Sequence, residues 1–177
     1  MSTSPHPVAL TLGISPTKRG FGWVAFDGPL SLFDWGSVFV RGEKNLNCVR
    51  YFEGLLDRLP VELLVMEEPS AKVHRSDRVS ALQGLLRSSA LLRNVEVATY
   101  RRDQVQRCFS VVAAQSQQEI AEAIARLFPD LAHKVPRKRS AWMGEDRRMA
   151  IFSAVALVLT HFQIDGTDFV ESMKPAA

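Results

Sequence analysis

Cysteine is scarce in this chain. There are two in 177 residues, Cys48 and Cys108, and neither stands in a C-x-x-C pair or at a spacing from histidine that would hold zinc. A disulfide framework and a zinc module are therefore ruled out as organising devices, and both thiols read as reduced and structural. Long apolar runs are missing too: none reaches the roughly 18 residues of a membrane-spanning helix. The opening Met-Ser-Thr-Ser-Pro-His-Pro lacks the charged start and apolar core of a signal peptide, so the sequence reads as that of a cytoplasmic protein. Charge of one sign is not abundant either. A formal net charge of +3 supplies no global field that compels nucleic-acid binding, although local basic clusters still matter. No G-x-x-x-x-G-K-[ST] motif occurs to suggest a P-loop.

What is present is an ordinary globular composition, 46% apolar, at a length that suits one domain. The expectation is a core over about residues 8–162 with flexible tails at 1–7 and 163–177. The chain is organised around Val8 to Phe26. There an apolar run stops at Ser15-Pro16, passes a Lys18-Arg19-Gly20 turn and resumes at Gly22, the pattern of a β-hairpin. Leu30 to Arg41 reads as a third strand, interrupted near Asp34-Gly36. Asn45 or Asn47 is placed to cap a helix carrying Val49, Phe52, Leu55, Leu56 and Leu59 at helical spacing, which Pro60 closes.

V-E-L-L-V-M-E-E-P then reads as a short buried strand between helical segments, the mark of a parallel strand in an α/β sheet. Chemistry tends to sit at the carboxyl end of such a strand, here Glu67 and Glu68. A polar, basic stretch, Ser70 to Arg78, leads to a helix through Val79, Leu82, Leu85, Leu86 and Leu92, and Val95 to Tyr100 reads as another strand. Gln104 to Phe109 and Gln115 to Phe128 follow as helices, His133 to Trp142 as a basic loop, and Met149 to Phe162 as an apolar last helix. The order is β-β-β-α-β-α-β-α-α.

Four short motifs in this order resemble the RuvC-type Holliday-junction resolvases of the RNase H-like nuclease superfamily, over about Val8 to His161. They are Leu12-Gly13-Ile14 in the first strand, Val65-Met66-Glu67 closing the fourth, Tyr100 to Val105 against a Tyr-x-Pro-x-x-Val segment, and Ala154 to His161 against an alanine-rich helix ending in Thr-His. The resemblance implies an α/β, RNase H-like fold: a mixed five-stranded sheet, three antiparallel strands then two parallel ones, flanked by helices. An actin-like ATPase opens on a similar hairpin, but it needs two such halves and this chain has room for one.

In that family four carboxylates hold two divalent ions that activate water against a DNA phosphodiester. Here Ser15 stands at the first-strand Asp, Ser153 at the last Asp of the final helix, and Ala150 one turn earlier. The acids left are Glu67, with Glu68 beside it, and Asp146, two helical turns before Ser153 and so on the same face of a continuous helix. A hydroxyl is a poor ligand for a hard dication that prefers carboxylates. The resemblance therefore implies Mg2+ or Mn2+ bound weakly if at all, and catalysis weakened or lost. Glu145-Asp146 also has a plain reading as favourable charge at a helix start.

Lys18, Arg19, Arg75, Arg78, Arg101, Arg102, Arg137, Lys138 and Arg139 fall in loops or at element ends, where an RNase H-like fold would border its active site. Phosphate contact is the inference, with Trp142 available to stack on a base or to plug its loop onto the core. His161 reads as structural. Three functions stay open: a RuvC-like protein binding branched or structured DNA, homodimeric as in the family, with a degenerate acidic site; an active metal-dependent endonuclease using Glu67 and Asp146; and a non-catalytic protein-interaction module.

Overall fold

The structure, a computed structural model, describes residues 8–70, 76–140 and 146–164. Arg75 and Trp142, and with them Lys72, His74 and Glu145, lie outside the described residues. Three strands open the fold, β1 (Leu10–Thr17), β2 (Gly20–Gly28) and β3 (Ser31–Phe39). They are followed by α1 (Lys44–Arg58), β4 (Val61–Glu67), α2 (Asp77–Leu92), β5 (Glu96–Tyr100), α3 (Arg102–Ser110), α4 (Gln117–Leu127), a 3-10 turn over Pro129–Lys134, and α5 (Met149–Ile164). The sheet order is β3-β2-β1-β4-β5. β1–β2 and β2–β3 pair antiparallel, β1–β4 and β4–β5 parallel. This is the mixed five-stranded α/β sheet of RNase H-like proteins. Among the described residues no helix is long and apolar enough to cross a membrane.

Strand alternation splits the core in two. Leu12 and Ile14 of β1, Trp23 of β2 and Leu64 and Met66 of β4 face α1 and α2, packing with Phe52, Leu55, Leu82 and Leu86. Val24, Phe26 and Val65 face the other side, under α4 and α5. β4 is thus apolar on both faces, which is why its sequence runs without alternation. α5 is apolar almost all round, as a helix sunk in a core must be. From Met149 to Thr160 only Ser153 is not fully buried.

Two glycines let α5 lie directly on the sheet. A β-carbon on Gly22 would stand 2.4 Å from the Ala150 carbonyl carbon, and one on Gly13 would stand 2.5 Å from Val158 Cγ2. Neither is possible at van der Waals distance, so these positions set how closely helix and strands approach.

Several boundaries differ from the sequence reading. β3 is not interrupted at Asp34-Gly36: Asp34, Trp35 and Gly36 pair with Ala25, Val24 and Trp23, and the register shifts between Ala25 and Gly28 instead. An edge strand tolerates the polar residue because Asp34 points to solvent. Neither asparagine caps α1. The cap is Glu43 without a side-chain bond, while Asn47 Nδ2 donates to the Arg41 carbonyl (2.9 Å) and Asn45 Nδ2 to that of Arg78 (3.2 Å). α3 starts at Arg102 rather than Gln104, and α4 at Gln117 rather than Gln115 because Ser116 caps it. His133 and Lys134 belong to the 3-10 turn, not to the basic loop, and α5 continues to Ile164.

Candidate functional site

β1 and β4 are parallel neighbours, so their carboxyl ends emerge on the same edge of the sheet, with α5 crossing one face above them. A cleft of about 460 Å³ opens there. Its floor and walls include Ser15, Thr17 and Lys18 from the first strand and turn, Glu67 from the end of β4, and Ser153 with Phe152 and Ala156 from α5. The far wall comes from Ser76 at the start of α2, Arg102 and Gln106 of α3, and Gln115 and Gln117 at the start of α4. Alternation explains the convergence: Ser15 shares its face with Gly13, Glu67 shares its face with Val65, and both faces look toward α5.

Among the residues lining the cleft Glu67 is the one carboxylate, facing two cations, Lys18 and Arg102, and a set of neutral hydroxyls and amides. Among the described residues no group of three or more His, Cys, Asp or Glu side chains is placed to hold a metal ion. The donors present do not fit a pair of hard dications, which take several charged or carbonyl oxygens each. Serine oxygens and ammonium or guanidinium groups suit an anion instead.

Asp146 does not join the cleft lining. The expectation that it shares a helical face with Ser153 fails because α5 begins only at Met149. Asp146 sits in the preceding turn, where its carbonyl accepts the Met149 N–H (3.0 Å). Its carboxylate takes a fork from Arg148, Nη2 at 2.7 Å and Nε at 3.0 Å, and also accepts the Arg148 backbone N–H at 2.9 Å. The hydrogen bonds from Arg148 hold the Asp146 carboxyl below the usual carboxylate range, against a smaller opposing effect of partial burial. This is the plain role of an acid at a helix start. Glu68 is exposed at the strand end, and its N–H bonds the Tyr100 carbonyl (2.8 Å).

The basic residues divide by their partners. Lys18 and Arg102 enter the cleft and Arg19 follows Lys18 in the exposed turn. Arg101 is drawn to Asp103 (Nε to Oδ1, 3.0 Å), which also pairs with Arg107 (2.9 Å). Arg78, expected among the phosphate contacts, is a clamp. Its guanidinium donates to the carbonyls of Thr17 (2.8 Å) and Lys18 in the hairpin turn and to Asn45 Oδ1 (2.9 Å). Arg137, Lys138 and Arg139 are exposed just after Pro136, whose carbonyl accepts from Gln118 of α4 (2.9 Å). They thus sit near the end of α4 that borders the cleft, and Lys138 is close enough to help lower the Glu119 pKa.

Sequence reasoning missed Gln106, Gln115 and Gln117 as cleft residues, because lone amides at helix ends carry no periodic signal. It also missed the cap that fixes two of them. Ser116 Oγ accepts the Glu119 N–H (3.2 Å), and Glu119 Oε2 accepts the N–H groups of Gln115 and Ser116 (both 2.9 Å). The pattern Ser-x-x-Glu at 116–119 was the available signal. Below the cleft the Tyr100 hydroxyl and His161 Nδ1 lie 2.7 Å apart, tying β5 to the end of α5, so His161 has a structural bond.

No protein-family model matches the sequence, and no curated protein does. Among solved structures the chain is similar to Thermus thermophilus RuvC in complex with a Holliday junction substrate, at 18% identity and a TM-score of 0.61, over 90% of this chain and 97% of that one. A second Thermus thermophilus RuvC structure matches at 20% identity and a TM-score of 0.54, over 89% of this chain and 97% of that one. At this identity the likeness shows the fold, and the fold is that of RuvC.

Proposed function

We propose that this RuvC-like frame serves to bind branched or structured DNA, with the metal-dependent cleavage associated with such folds weakened or lost. The observation that carries the reading is the lining of the cleft. Ser15, Ser153 and Glu67, brought together from β1, α5 and β4, supply one carboxylate, while Lys18 and Arg102 supply two cations. A two-metal phosphodiester hydrolysis concentrates negative oxygens to hold its ions. Each missing charged donor costs on the order of 10²-fold in rate, by analogy with the loss of one oxyanion donor. The same surface attracts phosphate directly, and the exposed Arg19, Arg137, Lys138 and Arg139 extend that attraction beyond the cleft. The reading includes a single domain acting as a homodimer, two copies matching the paired arms of a junction.

The experiment is a paired assay of four-way-junction binding and cleavage, with magnesium and with chelator. The natural chain is expected to bind in a salt-sensitive manner, equally with and without the metal, and not to cut. A Ser15→Asp, Ser153→Asp variant is expected to gain metal-dependent cutting. Efficient magnesium-dependent cutting by the natural chain, abolished in Glu67→Gln, would establish an active endonuclease instead. Absence of junction binding at low salt would leave a protein-interaction module.

A further inference from the structure

Phe39, the last residue of β3, is an aromatic out of place for a core strand. Its neighbour Val38 is buried among α1-side residues, and Val40 packs there too, so alternation sends Phe39 to the opposite face, the one that carries the cleft. The ladder agrees. Phe39 pairs with Gly20 and Gly20 with Thr17, which places Phe39 in the same cross-strand row as a cleft residue, with no side chain between them. Phe39 is 38% exposed.

Two guanidinium groups attend it. The Arg147 guanidinium carbon stands 4.9 Å from the ring centroid and that of Arg19 5.7 Å. They arrive from different elements, Arg19 from the hairpin turn just after Lys18 and Arg147 from the turn just before Met149; Lys18 and Met149 both line the cleft. Among the described residues neither arginine has a carboxylate at ion-pair distance. The turn is fixed: the Val40 N–H bonds the Arg19 carbonyl (2.8 Å), and Arg78 holds the two carbonyls before it.

We infer that Phe39, Arg19 and Arg147 form a second nucleic-acid contact at the rim of the cleft, one that takes an unpaired or terminal base together with its flanking phosphates. An arginine plane stacks on aromatic and nucleobase faces alike, while its edge donates to phosphate oxygens. An arginine–aromatic column with exposed edges therefore offers what a splayed nucleotide presents, a π-face and an anion. An acidic peptide would use the two charges but not the ring. The inference rests on the cleft reading only for the kind of macromolecule that arrives, and it names where a base leaves the helix.

The test uses the whole chain with a four-way junction and with an oligothymidylate carrying one 2-aminopurine. Binding is expected to quench the 2-aminopurine, a direct sign of stacking that needs no variant. Phe39→Leu is expected to weaken oligonucleotide binding about tenfold and abolish the quench, and Phe39→Tyr to retain both. Arg19→Ala with Arg147→Ala is expected to lower the salt slope by about two. Thermal melts of each variant show whether the fold is kept. Should Lys18→Ala with Arg102→Ala weaken binding while Phe39→Leu leaves affinity and quench unchanged, the rim contact is overturned and the cleft reading stands. Polyglutamate competing as well as oligonucleotide at equal charge overturns it as well. No binding of either DNA by the natural chain overturns both.

Discussion

Arg78 of α2 donates to the carbonyl of Thr17 at 2.8 Å and so ties the start of that helix to the bend of the first hairpin. The same guanidinium bonds Asn45 Oδ1 at 2.9 Å, which places α1, α2 and the β1–β2 turn under one side chain. The turn that displays Lys18 and Arg19 is thereby held in one geometry. Arg78→Met should lower unfolding free energy by about 2 kcal/mol, the usual worth of charged hydrogen bonds lost from a half-buried site. Urea denaturation reads this directly, and an unchanged midpoint would show the clamp to be dispensable.

Glycine substitutions should act with opposite signs. Gly22→Ala sets a methyl against the backbone of Ala150 and should destabilise by about 2 kcal/mol or more, since neither α5 nor the strand has a flexible side chain to give way. Gly84 lies within α2 with nothing within 4 Å of an added β-carbon. There alanine should stabilise by up to about 1 kcal/mol through helix propensity alone. Paired urea melts test both.

Metal addition should distinguish the natural cleft from a restored one. Melting of the natural chain is expected to be indifferent to Mn2+ up to millimolar levels. The Ser15→Asp, Ser153→Asp variant should be destabilised without metal by three crowded carboxylates and rescued by it, by about 1.4 kcal/mol at ten times the dissociation constant. Equal shifts in both proteins would mean that serines at these positions do not limit metal binding.

Acid should loosen one wall of the cleft first. Bonds from the backbone N–H groups of Ser116 and Gln115 hold the Glu119 carboxyl below its ordinary range. A depressed carboxyl contributes stability that is complete above its unfolded pKa of about 4.3 and is lost as pH falls through the lower folded value. Protection of the Gln115 and Ser116 amides against exchange, taken relative to the intrinsic rate at each pH, should therefore fall at the acid end of that window. Glu119→Gln should flatten the pH dependence, while Ser116→Ala should cost about 1 kcal/mol at neutral pH.

How much of this was readable beforehand depended on whether a residue's role was periodic. The buried run of β4, the apolar faces of α1 and α4 and the solid apolar α5 follow from spacing, because burial on one or two faces leaves a repeat in the sequence. Ser15 and Ser153 were reached only by aligning short motifs. The structure shows that they line one cleft with Glu67. Asp146 was misplaced because the last helix was extended back through the three residues before Met149, where Asp146 and Arg148 instead build a turn. Arg78 was taken for a free surface charge, since nothing local tells that its partners lie in the hairpin turn and in α1. Phe39 drew no notice in the sequence, because only the parity of β3 sets it apart from Val38.

The close seat of α5 on Gly13 and Gly22 also fixes an order of events during synthesis. Among the described elements α5 is the helix packed directly on β1, β2 and β4 on the face of Val24, Phe26 and Val65, and what precedes it covers that face only in part, as Phe128 does against Phe26. Until the residues of α5 are made, the nascent sheet presents a partly bare apolar flank to solvent or to chaperones. The domain thus completes its folding only once α5 has been made, and a chain stopped shortly before Met149 would be a sticky fragment rather than a smaller working one.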